Sequence, residues 1–328
     1  MRLNCINGNS FYFCTKLILI LYMKNTAKNQ NILDVIIIGG SYAGLSAALA
    51  LGRSLRNVLI IDDELPCNRK TPHSQNFLTQ DGKTPKEIST VAREQVEKYE
   101  TIKFYKGKAI NGKKTENSFE IITDKNEKFF SKKLIFATGI KDQFPEIKGF
   151  SECWGISVIH CPYCHGYEYR NKNTAIIANG DRAFHLTSLV NNLTDQITLF
   201  TSGQPTFNTD QQKKLEEKNI QIIETDITEI IHESGQVKSI VLKDGTSISF
   251  DVAYAAIPFV QSSDIPVDLG CELTENGHLQ IDPFQKTNIP GVFACGDNSN
   301  MMRSVAHAVY SGNNAGAMAN AELVQEEF

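Results

Sequence analysis

The stretch that decides the fold is VIIIGGSYAG, residues 35–44. Its first four residues form an apolar, β-branched run, which is typical of a parallel strand buried on both faces. A helix of small residues is predicted at residues 45–51, and a second apolar strand at residues 58–61 ends in Asp62. Strand, glycine turn, helix, strand and acid, in this order, indicate a dinucleotide-binding βαβ unit.

The glycine turn has the features that hold a pyrophosphate. Gly39 permits the tight turn, and Gly44 lets the helix pack close to the strand. The helix N-terminus presents free N–H groups and a positive dipole end. Ser41 replaces the motif's second glycine, and its hydroxyl can itself bond a phosphate oxygen. Asp62 follows at the distance of a ribose-binding acid. The alternative is an ordinary glycine turn of a parallel α/β protein, but the acid in register favours the nucleotide site.

A second strand, turn and helix begins near residue 174. An apolar strand at residues 175–177 is followed by ANGDRA, so that Ala178 stands where the first glycine of such a motif is expected. The next strand, at residues 196–200, ends in Thr-Ser-Gly with neither an acid nor an arginine. By itself this pattern indicates a degenerate nucleotide fold at least as well as a working site.

Other segments read as regular elements of an α/β protein. Residues 84–100 show the apolar spacing of a helix, and strands are predicted at residues 119–122 and 128–136. The latter strand runs into Ala-Thr-Gly, residues 137–139. Near the C-terminus, an apolar strand ends in Gly296-Asp297, and a helix rich in Ala, Gly and Ser is predicted at residues 303–320. Small residues let that helix approach a sheet or a flat ligand closely.

The stretch HCPYCHGYE, residues 160–168, carries the chemistry. Of eight cysteines in the sequence, only Cys161 and Cys164 are closely paired. Two thiols at this spacing can close a small disulfide ring. His165 can donate or accept a proton beside them, because its ordinary pKa lies near neutrality.

Four interpretations of this stretch compete. A structural zinc site needs four ligands, and no second pair of cysteines is present. The letters also fit the C-x-x-C-H of covalent haem, although that attachment usually accompanies export. Inert packing cysteines would leave the flanking histidines unexplained. A redox disulfide linked to a flavin or a nicotinamide fits the βαβ context best.

Composition describes an ordinary globular protein of 328 residues and 36.5 kDa, long enough for about two domains. Lys and Arg total 33 against 37 Asp and Glu, a net charge of −4 that argues against nucleic-acid binding and against a polybasic membrane patch. The apolar run at residues 17–22 is too short to span a bilayer. We therefore expect residues 1–30 to be a disordered leader or a misassigned start, and the protein to be cytoplasmic.

The joint order of four motifs resembles that of the low-molecular-weight thioredoxin reductase family of flavoproteins. The motifs are the glycine turn at 39–44, Ala-Thr-Gly at 137–139, Cys-Pro-Tyr-Cys at 161–164, and Gly296-Asp297 followed by Arg303. The resemblance extends over about residues 34–324. It implies an α/β fold of two Rossmann-like domains, the second inserted into the first. The FAD domain would comprise residues 31–147 and 253–328, and the inserted domain, 148–252, would carry the redox pair.

The same resemblance implies where FAD lies. Its pyrophosphate would lie on residues 39–44, its adenosine ribose on Asp62 and its ribityl chain near Asp297. The helix that follows Arg303 would direct its N-terminus at the flavin's pyrimidine edge and stabilise negative charge there. Asn76 is a weaker match to a flavin-side asparagine. The implied FAD-binding residues are Gly39, Gly40, Ser41, Ala43, Gly44, Asp62, Asn76, Thr138, Gly139, Gly296, Asp297, Arg303, Ser304 and Val305.

By the same resemblance, Cys164 would face the flavin and Cys161 would exchange with the substrate, whereas His165 is a candidate catalytic residue on its own chemistry. Three departures from the family bear on the reaction. His165 replaces the usual aspartate, and Cys-Pro-Tyr-Cys-His-Gly is similar to a branch that includes dithiol oxidases. Ala178 replaces the first glycine of the nicotinamide motif. Residues 200–203 lack the His-Arg-Arg that holds the NADPH 2′-phosphate. The last two departures disfavour NADPH or NADH as a second cofactor.

The sequence thus predicts an FAD-dependent thiol–disulfide oxidoreductase, homodimeric by resemblance. As a reductase it would reduce a thioredoxin-like protein or a small disulfide. As an oxidase it would oxidise a small dithiol and pass the electrons to oxygen. A flavin-binding redox sensor without turnover is a third possibility, which the intact cysteine pair disfavours.

Overall fold

The computed structural model describes residues 32–328, and the predicted leader, residues 1–30, lies outside the described residues. The strands in chain order are β1 (Leu33–Ile38), β2 (Val58–Asp62), β3 (Ile102–Lys106), β4 (Ala109–Lys114), β5 (Phe119–Thr123), β6 (Lys128–Phe136), β7 (Ile140–Asp142), β8 (Val158–Ile159), β9 (Thr174–Ile177), β10 (Ile197–Phe200), β11 (Gln221–Ile223), β12 (Ile227–Glu233), β13 (Gln236–Leu242), β14 (Ser247–Ser249), β15 (Val252–Ala255), β16 (Phe259–Gln261) and β17 (Val292–Ala294). The helices are α1 (Tyr42–Arg53), α2 (Pro85–Glu97), α3 (Phe150–Cys153), α4 (Pro162–His165), α5 (Gly180–Val190), α6 (Thr209–Glu217), α7 (Ile265–Asp268) and α8 (Val305–Glu327), and a 3-10 turn spans Cys67–Lys70.

The predicted βαβ unit lies at the centre of the first sheet. The strand order is β3-β2-β1-β6-β5-β4, and β17 pairs with the end of β6. Side chains of β1 alternate between two cores, since Val35 and Ile37 pack with α1 and α8, whereas Ile36 and Ile38 pack with β5 and α7. The strand is therefore buried on both faces, as its continuous apolar run predicts.

The second sheet is parallel throughout, with the order β11-β10-β9-β15-β8. A three-stranded antiparallel sheet, β12-β13-β14, accompanies it. The predicted segment boundary at residue 253 falls inside β15, and β15 pairs with β9 along residues 252–255. Residues 253–255 therefore belong to the second sheet. The two short strands β7 and β16 pair with each other where the chain passes between the two sheets.

Small residues bring the last helix, α8, against α1, as their abundance in this segment suggests. A Cβ added to Gly312 would lie 2.0 Å from the Ala43 carbonyl oxygen, and one on Gly316 would lie 2.5 Å from that of Ala47. The Ser46 hydroxyl also donates to the Val309 carbonyl at 2.7 Å. Glycine at both positions permits this close approach, which fixes the start of α8 beside the first turn of α1.

The C-terminal half of α8 is held by ion pairs that include the buried Lys133. Lys133 has a side chain that is only 6% exposed, and its ammonium lies 3.1 Å from a Glu322 carboxylate oxygen. Lys286 lies 2.8 Å from the other oxygen of that carboxylate. Burial alone would raise the pKa of Glu322, but the hydrogen bonds from the two lysines outweigh it and lower the pKa.

We expect Glu322→Gln to lower the free energy of unfolding by about 1–3 kcal/mol, because it leaves Lys133 buried with only one carboxylate partner. A lowered pKa stabilises the fold above the ordinary value of 4.5, and that contribution is lost as pH falls through the folded pKa. The variant should therefore lose less stability than the wild type on acidification below 4.5. Urea unfolding measures both effects. Glu233→Gln, which removes an exposed pair with Lys238, is the control and should change little.

Candidate functional site

The glycine turn closes tightly between β1 and the end of β6. Gly39 has φ +104° and donates its N–H to the Ile61 carbonyl at 2.8 Å. A Cβ at Gly39 would lie 2.2 Å from the Ala137 carbonyl oxygen, and one at Gly44 would lie 1.9 Å from the Gly39 carbonyl oxygen. Both positions therefore require glycine.

Asp62 is tied to the same turn. The Gly40 N–H donates to Asp62 Oδ1 at 2.9 Å, and a Cβ on Gly40 would collide with the Asp62 side chain. Burial raises the pKa of Asp62, although its bond from Gly40 opposes that rise. Ser41 begins α1 as its N-cap without a capping hydrogen bond from its side chain, and Ala43 in the first turn is buried. The residues predicted to bind the phosphates and the ribose thus lie together, at the C-terminal ends of β1 and β2.

The Gly-Asp motif after β17 lies at the same edge. Gly296 has φ +83° and donates its N–H to the Ser311 hydroxyl at 3.0 Å. Asp297 follows, and burial raises the pKa of its carboxyl while the adjacent Arg303 opposes that rise. Arg303 Nε lies 3.6 Å from Asp297 Oδ2. Ser304 caps α8 by accepting from the His307 N–H at 3.1 Å.

Asn298 joins this motif to the end of β6, a contact that the sequence did not reveal. Its Nδ2 donates to the Phe136 carbonyl at 2.8 Å and to Thr138 Oγ1 at 3.2 Å. Gly139 follows with φ +65°. Two motifs that are far apart in sequence, Thr138-Gly139 and Gly296-Asp297, are thereby brought together.

Val305 and Asn76, which were also predicted to bind FAD, have different surroundings, since one is packed against the core and the other is exposed. Val305 packs against the core that contains Tyr42 and α1, so it helps to fix the start of α8. Asn76 lies exposed on a loop with φ +59°, and its N–H donates to Asp81 at 2.6 Å. This hydrogen bond of Asn76 therefore stays within its own loop.

Cys161 and Cys164 are joined by a disulfide, with their Cα atoms 5.3 Å apart. Cys161 precedes the single turn α4, and the Cys164 N–H donates to Cys161 Sγ at 3.1 Å. Burial lowers the pKa of His165, so its ring is neutral at pH 7 and able to accept a proton. Cys271 and Cys295 are buried, as expected for packing residues.

The comparisons with known proteins identify the family. Residues 33–312 match the family described as pyridine nucleotide-disulphide oxidoreductase. The chain belongs to this family. The thioredoxin reductase tcpT of Claviceps purpurea is 32% identical over 310 residues, which cover 90% of this chain and 96% of the relative.

Solved structures of similar proteins agree with this assignment. A Bacillus anthracis protein assigned as thioredoxin reductase TrxB superposes with a TM-score of 0.86 at 30% identity, over 90% of this chain and all of that one. An oxidoreductase from Agrobacterium tumefaciens gives 0.83 at 38% identity, over 90% and 99%. The predicted fold of two dinucleotide-binding domains and the predicted thioredoxin reductase-like disulfide oxidoreductase are confirmed.

FAD is the cofactor of thioredoxin reductases in this pyridine nucleotide-disulphide oxidoreductase family. The residues present fit it. The glycine turn itself has no room for a side chain, because an added Cβ at Gly39, Gly40 or Gly44 would overlap the Ala137 carbonyl, the Asp62 side chain or the Gly39 carbonyl. In addition, Asn298 Oδ1 and Arg303 Nε are buried without a hydrogen-bond partner among the described residues. Buried polar atoms of this kind need a partner, and a bound nucleotide can supply one.

NADPH is the usual partner cofactor of thioredoxin reductases in the family. In this chain, the turn between β9 and α5, which corresponds to the nicotinamide motif, is covered by the loop at residues 201–206. Asn179 accepts from the N–H groups of Gly180 and Thr206 at 2.7 and 3.0 Å. Its Nδ2 donates to the carbonyls of Thr201 and Gln204 at 3.2 and 3.0 Å. The loop therefore packs across the start of α5, where a pyrophosphate would bind.

Across residues 32–328, no group of three or more His, Cys, Asp or Glu is arranged to hold a metal ion. In the same part of the chain no helix is both long and apolar enough to cross a bilayer.

Proposed function

We propose that Cys161 exchanges with the substrate and that Cys164 is the partner that faces the flavin. When bound, FAD supplies a two-electron exchange with the cysteine pair. In the reductase direction, the Cys161 thiolate attacks a substrate disulfide and releases one substrate thiol. Cys164 then attacks the mixed disulfide, which releases the second thiol and restores the Cys161–Cys164 bond. His165, beside Cys164 in sequence, accepts and returns the proton of the attacking thiol.

The observation that carries this proposal is the disulfide itself, in a chain whose glycine turn, Asp62 and Asp297 meet at one edge of the first sheet. We propose that these residues hold FAD together with the other predicted members of the site. The FAD-binding part would be built on the first sheet and the redox pair on the inserted part with the second sheet. A thioredoxin-like protein or a small dithiol or disulfide is the proposed substrate. A homodimer in the cytoplasm is proposed from the family resemblance.

We expect Asp62→Ala to weaken FAD binding about 10- to 100-fold, because it removes a charged hydrogen-bond acceptor that Gly40 holds in place. Fluorescence titration of the flavin-free protein with FAD measures the dissociation constant. Asp63→Ala is the matched control, since Asp63 is the exposed neighbouring acid, and it should bind FAD as the wild type does. Wild-type affinity in Asp62→Ala would contradict the ribose role.

A second candidate function, an oxygen-dependent dithiol oxidase, is favoured by the loop that crosses the start of α5. A nicotinamide nucleotide would have to displace the four hydrogen bonds that Asn179 makes with this loop. In this direction a substrate dithiol loses two electrons and two protons and becomes a disulfide. Oxygen takes up both electrons and both protons and becomes hydrogen peroxide.

The experiment that separates the two functions is the anaerobic visible spectrum of the flavin-loaded protein. Bleaching of the flavin band by NADPH or NADH would establish the reductase and overturn the oxidase. Bleaching by dithiothreitol alone, with recovery of the band and formation of peroxide on admission of air, would establish the oxidase. A flavin that no dithiol or nucleotide bleaches would contradict both.

A further inference from the structure

Asp142 lies on β7, one of the two short strands that pass between the sheets. Its carboxylate forms a bidentate pair with Arg303, since Oδ1 lies 2.8 Å from one terminal guanidinium nitrogen and Oδ2 lies 3.1 Å from the other. Oδ2 also accepts from the Trp154 indole N–H at 3.1 Å. The Asp142 carboxylate therefore binds both Arg303, which precedes α8, and Trp154, which follows α3.

The two partners of Asp142 contact different parts of the site. Arg303 Nε lies 3.6 Å from Asp297, which follows β17 of the first sheet. Trp154 stacks on His160, with ring centroids 5.9 Å apart and planes 25° apart. His160 is the residue before Cys161. A continuous series of contacts thus runs from the Gly-Asp motif to the redox disulfide.

Burial makes these contacts specific. The side chain of Asp142 is 8% exposed and that of Arg303 16%. A buried carboxylate keeps its charge only where charged and hydrogen-bonding partners surround it, so its geometry is strongly restricted. Burial also lowers the pKa of His160 to about 3, so the ring that stacks on Trp154 is uncharged at neutral pH. His160 Nε2 is buried without a partner among the described residues.

We propose that Asp142 is a positioning residue: by holding Arg303 and Trp154 at once, it sets the placement of the Cys161–Cys164 pair relative to the edge that carries Asp297. The inference rests on the flavin site proposed above. A purely structural role would lower stability without changing the accessibility of the cysteines or their exchange with the flavin in the folded protein. That difference makes the inference testable.

The test uses Asp142→Asn and Trp154→Phe. Asp142→Asn keeps an acceptor for the indole but removes the charge that pairs with Arg303. Trp154→Phe keeps an aromatic ring beside His160 but removes the N–H donor. The matched control is Glu229→Gln, which removes an ion pair with the exposed Lys148. If Asp142→Asn does not fold, Trp154→Phe tests the inference alone.

Trp154 is the only tryptophan of the sequence, so its fluorescence reports on this contact even in protein without flavin. We expect acrylamide to quench Asp142→Asn at least threefold more strongly than wild type. In both variants the rate of iodoacetamide labelling of Cys161 in the reduced protein should change at least threefold. Exchange between flavin and disulfide in the loaded protein should slow at least tenfold, with Glu229→Gln unchanged in all three measurements.

The results distinguish this inference from the proposed function. Wild-type quenching, labelling and exchange in folded Asp142→Asn, or wild-type labelling and exchange in Trp154→Phe, would overturn the positioning role, whatever the change in melting temperature. A wild-type protein that binds no FAD, or whose bound flavin does not exchange with the disulfide, would instead overturn the proposed function. Fluorescence and labelling can still be measured in that case.

Discussion

Replacing Cys164 by serine is expected to lower disulfide exchange about a thousandfold or more while FAD stays bound. The variant cannot form the Cys161–Cys164 disulfide that accepts the electron pair, and it lacks the Cys164 thiol that would release the substrate from Cys161. FAD binding should persist because the glycine turn and Asp62 lie in the first sheet. Stopped-flow reduction with a dithiol and the visible spectrum measure the two properties separately.

A matched control and a trapping experiment make this prediction specific. Cys271→Ser is another cysteine-to-serine change, at a buried site where Thr287 Oγ1 is within 3.7 Å of the sulfur, and it should retain exchange. In Cys164→Ser, the remaining Cys161 should trap a substrate disulfide as a stable mixed disulfide, which mass spectrometry detects. Cys161→Ser should trap much less if Cys161 is the exchanging sulfur. Normal turnover in Cys164→Ser would contradict the assignment of the site.

The local elements could be predicted because their signals are contiguous in sequence. The strand predicted at residues 128–136 is β6 with the same bounds, and the helix predicted at residues 303–320 is α8, which starts two residues later and extends to Glu327. At the boundary predicted at 253, the apolar run of β15 shows its strand character in the sequence, but its pairing with β9 does not. Strands β7 and β16 have three residues each, too few to show a period.

The side-chain contacts across the site could not be predicted in the same way. The pair of Asp142 with Arg303 joins residues 161 positions apart, and that of Thr138 with Asn298 joins residues 160 apart. Neither belongs to a motif with fixed spacing. Trp154 is buried, and the partner of its N–H depends on how the linking strand meets α3. Contacts of this kind follow from tertiary packing and not from local pattern.

Gly44→Ala is expected to abolish stable FAD binding and to lower the free energy of unfolding by at least about 2 kcal/mol. In an unconstrained helix the same change would stabilise the protein by about 1 kcal/mol, because alanine is the better helix former. Here the new Cβ would lie 1.9 Å from the Gly39 carbonyl oxygen. The Gly39 oxygen is a backbone atom and the new Cβ is bonded directly to the backbone. Only a shift of the glycine turn against α1 can therefore relieve the collision.

That shift would lower both the stability of the fold and the affinity for FAD. A control substitution at another glycine distinguishes the effect of the collision from the effect of a positive φ. Gly245→Ala places a side chain at φ +86° with nothing within 4 Å, so it should cost about 1–2 kcal/mol from conformation alone and leave FAD affinity unchanged. Urea unfolding of the flavin-free proteins and titration with FAD give the two quantities independently. Equal affinities in Gly44→Ala and the wild type would show that the turn tolerates the shift, and the pyrophosphate would then have to bind elsewhere.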